Sequence, residues 1–152
     1  MRFLPSFGLI IACLWILVGC ASTTPQADRL LAEQSFSRGT EAIEISNVPF
    51  IEQSEGHCGP ASLAMALQWS GLDVSAQEIA SQVYTPGMKG SLQNDLIGAA
   101  RRHGRLAIPI QGLPDLLKEL RAGHPVIVFE NLALSWLPQW HYAVVFGYDP
   151  AE

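Results

Sequence analysis

Gln53-Ser-Glu-Gly-His-Cys58-Gly-Pro-Ala-Ser62 runs directly into Leu63-Ala-Met-Ala-Leu-Gln-Trp69, and the join between turn and helix falls at a cysteine. Leu63, Ala64, Met65 and Leu67 recur at spacings suited to a buried helix over Ala61 to Trp69 that stops at Gly71, and Gly59-Pro60 suits a helix entry. Cys58 is thus expected just ahead of a helix, where unpaired backbone N–H groups and the positive end of the dipole favour a thiolate. A thiolate so placed is a nucleophile. The competing reading is a buried packing cysteine, which is common for this residue type. The flanking turn residues argue against it.

Working outward, Val48 to Ile51 reads as a short extended lead-in. Ser75-Ala-Gln-Glu78 is a capping box that opens a second helix reaching about Val83, with Ile79 and Val83 inside. Ser91 is expected to cap a third helix that buries Leu92, Leu96 and Ile97 and stops at Gly104. Beyond it the pattern turns to strands. Leu106 to Ile110 is expected as one, Pro114 to Arg121 as a short helix closed by Gly123, and Pro125 to Phe129 and Tyr142 to Phe146 as two more strands. Helices first and strands after predict an α+β domain, a helical half packed on a small antiparallel sheet with a cleft between them. His141, at the head of the last strand, would then face the helix that carries Cys58.

The N-terminal region reads as an address. Met1-Arg2 is a short basic start, Leu9 to Val18 is apolar but for Cys13, and Leu17-Val-Gly-Cys20 closes it. This pattern resembles bacterial lipoprotein signals, which implies cleavage before Cys20 and acylation of that cysteine. A membrane-spanning helix is the alternative, but the run falls short of roughly 20 residues and lacks a basic stop. Residues 1–19 are therefore expected to be a signal peptide, 20–45 a lipid-anchored tether with some local helix near Leu30, Leu31 and Phe36, and 46–152 the folded domain. Ala21 rather than Asp after Cys20 implies the outer membrane, facing the periplasm. Loss of Cys13 with the signal and acylation of Cys20 leave Cys58 the one free thiol, so no internal disulfide is expected.

Composition narrows the function. About 130 residues suffice for one domain with a real core. The chain has 9 Lys and Arg against 14 Asp and Glu and no basic run, which argues against nucleic-acid binding. One free thiol and scattered histidines show no ligand spacing, so neither a metal nor another cofactor is expected. His57, beside Cys58, reads as a rim residue, His103 as a helix-end charge and His124 as part of a tight connection. Trp136 and Trp140 read equally as a cleft wall or as loop packing. Pro86 to Gly90 reads as a loop between helices that either borders the cleft or has no role.

Gln-x4-Cys-Gly-Pro-Ala-Ser, Gly-His-Pro-Val-Ile-Val and His-Tyr-Ala-Val-Val-Phe-Gly-Tyr, in that order from about Val48 to Asp149, resemble the papain-like peptidases that remove leader peptides from bacteriocins, and their stand-alone relatives. The resemblance implies a papain-like fold and thiol chemistry on peptide or related amide bonds. It assigns Cys58 as nucleophile, His141 as general base and then acid, and Gln53 as an oxyanion donor alongside the Cys58 N–H. Taken alone, Gln53 is an ordinary loop amide; its distance from Cys58 is what raises it.

The third member of a triad is the difficulty. Asp149-Pro150 matches the motif, yet eight residues of extended strand would carry Asp149 about 26 Å past His141 unless the chain bends near Gly147. An orienting Asp or Asn is expected on the next antiparallel strand, returning after a turn at Asp149-Pro150 to lie opposite His141, and the sequence stops at Glu152 before that strand. Two expectations follow. Either the peptidase is C-terminally incomplete, which would leave an apolar strand edge bare, or Cys58 and His141 act as a dyad oriented by a backbone carbonyl or a side chain such as Asn131. The functional expectation is a lipid-anchored envelope cysteine peptidase whose partners are a peptide or protein substrate and the membrane. Acyl transfer at the same thiol, or a non-catalytic peptide-binding module, are the alternatives.

Overall fold

The structure, a computed structural model, describes residues 41–149. The signal, Cys20, most of the tether and its expected local helix lie outside the described residues. Within them the order is β1 (Ile43–Glu44), α1 (Cys58–Trp69), α2 (Ala76–Val83), β2 (Tyr84–Thr85), a 3-10 turn (Pro86–Met88), β3 (Gly90–Ser91), α3 (Gln93–Arg102), α4 (Gly112–Arg121), β4 (Val126–Asn131), β5 (Trp140–Val145) and β6 (Gly147–Tyr148). This is the α+β arrangement expected, consistent with a papain-like fold. The strands form three antiparallel pairs, β1 with β6, β2 with β3 and β4 with β5.

α1 is the centre of the domain. Eight of its twelve residues are buried, and Leu63, Ala64 and Leu67 join Val74, Ile79, Val83, Leu96, Ala99, Ala100 and Tyr142 in one core. Burying a side chain of Leu or Ile size contributes roughly 1.5–3 kcal/mol, so this cluster carries much of the fold's stability. α2 starts where its capping box predicts, with the Glu78 N–H donating to Ser75 Oγ at 3.1 Å. The C-terminal end of α1 is held by Arg105, which donates from Nε to Ser70 Oγ at 2.8 Å and from Nη2 to the Ser70 carbonyl at 2.9 Å. A cation there also complements the negative end of the helix.

Two expectations fail for physical reasons. Ser91 does not cap α3: the N-cap is Leu92, which has no capping side chain and is largely exposed, and Ile97 is only half-buried. Ser91 instead lies in β3 with its hydroxyl buried, so tertiary packing has taken the side chain away from the helix end. Leu106 to Ile110 forms no strand; Leu106 is 83% and Ile108 67% exposed, and Pro109 removes a ladder donor. Pro86 to Gly90, expected as a loop of uncertain use, is the tip of the β2–β3 hairpin.

β4 and β5 are each longer than expected, and their register runs from Val126 opposite Val145 to Asn131 opposite Trp140. His141 therefore lies inside a paired strand rather than ahead of one. Strand pairing breaks at Phe146, after which Gly147–Tyr148 pair with Ile43–Glu44, residues that the sequence places in the tether.

Candidate active site

Cys58 is the first residue of α1 and is half-buried against the core. The turn before it is closed by the His57 N–H donating to the Ser54 carbonyl at 3.0 Å, and the Ala61 N–H donates back to the His57 carbonyl at 3.0 Å. His57, the N-cap, makes no side-chain cap, and Pro60 has no N–H to offer. Among the described residues the N–H groups of Cys58 and Gly59 thus carry no hydrogen bond, leaving two donors and the helix N-terminus open beside the thiol.

The β2–β3 hairpin is the back wall of this turn, a role the sequence did not reveal. The His57 ring stacks on Tyr84 with centroids 4.5 Å apart, while its Nδ1 lies 2.9 Å from the Glu55 carbonyl. The rim residue is thereby held by its own neighbours. Gly56 sits at φ +75°, and a Cβ there would come within 2.6 Å of the Lys89 carbonyl oxygen, so both conformation and space require glycine. At Gly59 a Cβ would lie 2.9 Å from Ser91 Cβ and 3.4 Å from the Tyr142 ring. The glycine after Cys58 lets helix, hairpin and β5 meet.

Tyr142, next to His141, seals the other side. It is 4% exposed, donates from its hydroxyl to the Ser91 carbonyl at 3.2 Å, and stacks on Phe129, which in turn stacks on Trp140. Burial first, then the charges of Cys58 and Asp95, push its phenol up to about 12. Trp140 is accordingly part of an aromatic row that ends at α1, whereas Trp136 is 76% exposed.

His141 and Tyr142 alternate, so they occupy opposite faces of the ribbon. α1 packs against β5, but no hydrogen bond joins Cys58 to His141. Such contacts are often long before substrate binds. Gln53 is exposed, and among the described residues its amide has no partner. Asn131, one of the suggested orienters, is committed elsewhere. Its Oδ1 accepts from the N–H groups of Ala133 at 3.1 Å and Gln139 at 2.8 Å, and its Nδ2 donates to the Leu134 carbonyl at 3.4 Å. It ties off the loop before β5 and shares the face of Trp140, opposite to that of His141.

Asp149 follows β6 and lines a shallow open groove with Ala42 to Glu44 and Val144 to Tyr148. A Cβ at Gly147 would collide with the Ile43 carbonyl oxygen, so glycine is what lets β6 approach β1 this closely. Of the other histidines, His124 Nδ1 meets Glu119 Oε2 at 2.9 Å and His103 Nε2 lies 3.1 Å from Gln82 Nε2.

Comparisons with curated proteins and with solved structures returned no match. The sequence does match the Peptidase_C39 like family over residues 45–152, the whole of the structure just described apart from its first strand, and this family points to a cysteine peptidase type of function. A half-buried cysteine opening the central helix, with a histidine on the strand beneath, sits within that match: the chain belongs to the Peptidase_C39 like family.

Proposed function

We propose that this chain is a lipid-anchored cysteine peptidase of the bacterial envelope, held by Cys20 at the outer membrane and acting on a peptide or protein in the periplasm. The observation that carries the reading is Cys58 at the uncapped start of α1, with open N–H donors beside it. Cys58 Sγ attacks the scissile carbonyl. The oxyanion is met by the Cys58 N–H and the Gln53 amide, a kind of contact that typically contributes about 3 kcal/mol per donor. His141 takes the thiol proton and returns it to the leaving amine, and water then releases the acyl group from the thioester. Glutamine suits its post because it donates without titrating, and histidine suits its own because it exchanges protons near neutrality.

Cys58 and His141 are not hydrogen-bonded in the unliganded structure, which favours a second reading, a peptide-binding module with no chemistry. The pH dependence of Cys58 alkylation by iodoacetamide separates the two. A thiolate that still reacts below about pH 7 and is lost in His141→Ala supports the peptidase. Alkylation that rises only near roughly pH 8.5 and ignores the substitution refutes it. Product analysis with an added amine distinguishes hydrolysis from acyl transfer.

A further inference from the structure

We propose that the β4–β5 connection, from Leu132 to Gln139 with Trp140 beside it, docks on the surface of a phospholipid bilayer. The inference rests on the lipid anchor at Cys20 proposed above, and it adds the face of the domain that meets the membrane. Leu132, Leu134, Trp136, Leu137 and Trp140 are each more than half exposed, and with Phe129 they make up half of the large apolar residues exposed among the described residues. Folded chains rarely leave so much apolar surface in one place without a use for it.

The chemistry of this loop fits a bilayer better than a peptide or a protein. No Asp, Glu, Lys or Arg occurs between Glu130 and Asp149, so no such charge loses its hydration when the loop enters the headgroup layer. Leucines interleaved with two indoles suit that layer, because tryptophan sets an apolar ring and a polar N–H across the boundary between acyl chain and headgroup. Every residue from Leu132 to Trp140 is exposed, so the loop stands out as a knob rather than lining a concave peptide site. Much of its backbone is also satisfied without water. The N–H groups of Leu132, Ala133, Leu137 and Gln139 all donate within the loop or to Asn131, and Pro138 has none.

The chain outside the structure supplies the encounter. Cys20 closes the signal-like segment, and the stretch from there to β1 at Ile43 spans up to roughly 75 Å when extended. A domain of this size has a radius of gyration of about 13 Å, so the tether lets any face meet the bilayer and selects none. The uncharged loop makes the selection. Acylation raises the local concentration of bilayer so far that even a weak apolar contact is populated. With 9 Lys and Arg against 14 Asp and Glu, the chain gains no net attraction to anionic lipid, so the contact is apolar and insensitive to salt. Trp140 precedes His141 in β5, and docking therefore holds that end of the ribbon at the headgroups.

The test uses the full chain, produced in a bacterial envelope and reconstituted in vesicles of phosphatidylethanolamine and phosphatidylcholine with brominated acyl chains, which quench indoles they touch. Tryptophan emission should be quenched, and Trp136→Phe, which keeps an apolar ring, should remove about half of the quenched signal. Leu134→Asp combined with Leu137→Asp should lower the ratio of docked to free loop by about tenfold per leucine, abolishing the quenching while the anchor keeps the chain on the vesicles. Quenching should persist at high salt. Quenching that neither variant changes, or that salt removes, overturns the proposal. So does its absence in a chain shown by mass spectrometry to carry acyl groups on Cys20; if that chain instead forms a dimer that the double variant dissolves, the loop's occupant is a second copy. A chain without acyl groups refutes the anchor, and quenching in excess vesicles still decides whether the loop docks.

Discussion

Replacing Gly59 with alanine tests how α1 is seated. A methyl group there would lie 2.9 Å from Ser91 Cβ, 3.0 Å from Ser91 Oγ and 3.4 Å from Tyr142 Cδ2. Carbon atoms prefer about 3.5–4.0 Å, so Ser91 or the start of α1 must yield by roughly 0.6–1 Å. Overpacking of this kind costs about 1–3 kcal/mol, against a gain of at most about 1 kcal/mol from the better helix propensity of alanine. Ser91 sits on a two-residue strand whose partner Tyr84 also supports His57, so yielding there disturbs the turn before Cys58. Gly59→Ala should therefore lose about 1–2 kcal/mol in urea unfolding. It should also slow peptide hydrolysis by about ten- to a hundredfold, because a 1 Å misplacement can cost a hundredfold. Ser91→Gly removes both of the closest atoms, and the double variant should regain most of each loss, with a coupling energy of about 1 kcal/mol or more. A Gly59→Ala protein as stable and as active as the parent would refute the reasoning, as would additive effects in the double variant.

Asn131→Ala removes three loop hydrogen bonds and should lower stability by about 1–2 kcal/mol while opening residues 132–139 to limited proteolysis, read by urea titration and by mapping the cut sites. Ser75→Ala deletes the α2 cap and should cost about 1 kcal/mol without altering the pH dependence of Cys58 alkylation. Tyr142 titrates higher folded, about 12, than unfolded, 10.0, so the folded state binds the extra proton between those values. Its contribution is complete below pH 10 and drains away as pH rises towards 12, by an amount on the order of 2–3 kcal/mol. Tyr142→Phe should flatten that alkaline slope in urea unfolding measured from pH 9 to 12; an unchanged slope would mean that the phenol is not held as described.

The buried helix from Cys58, the Ser75 cap, α4 and the two main strands were legible because each carries a period or an end signal over several residues. β1, β2, β3 and β6 are two residues long and carry neither, so they exist only through their partners. Ser91 shows why a local signal can mislead. It has the chemistry of a cap, but the close approach of Gly59 buries its hydroxyl, and nothing adjacent in sequence foretells that. Within the candidate site, the place of Cys58 at the start of a buried helix was legible from its flanking turn. The cross-strand neighbour of His141 was not, because it depends on the loop closing at Asn131 opposite Trp140, and a register counted one residue differently would put Phe129 or Asn131 there.

That closure bears on how such a protein can change over generations. Asn131 ends the ribbon with its own side chain, gathering the Ala133 and Gln139 amides, while the Leu132 N–H donates to the Gln139 carbonyl at 2.9 Å. The register behind it is locked independently of what the loop contains. Residues 133–138 are then free to diverge in sequence, and in the surface they offer to other molecules, with His141 still meeting the same cross-strand neighbour. A single amide thus separates the part of the hairpin open to selection for new contacts from the part whose pairing must stay constant.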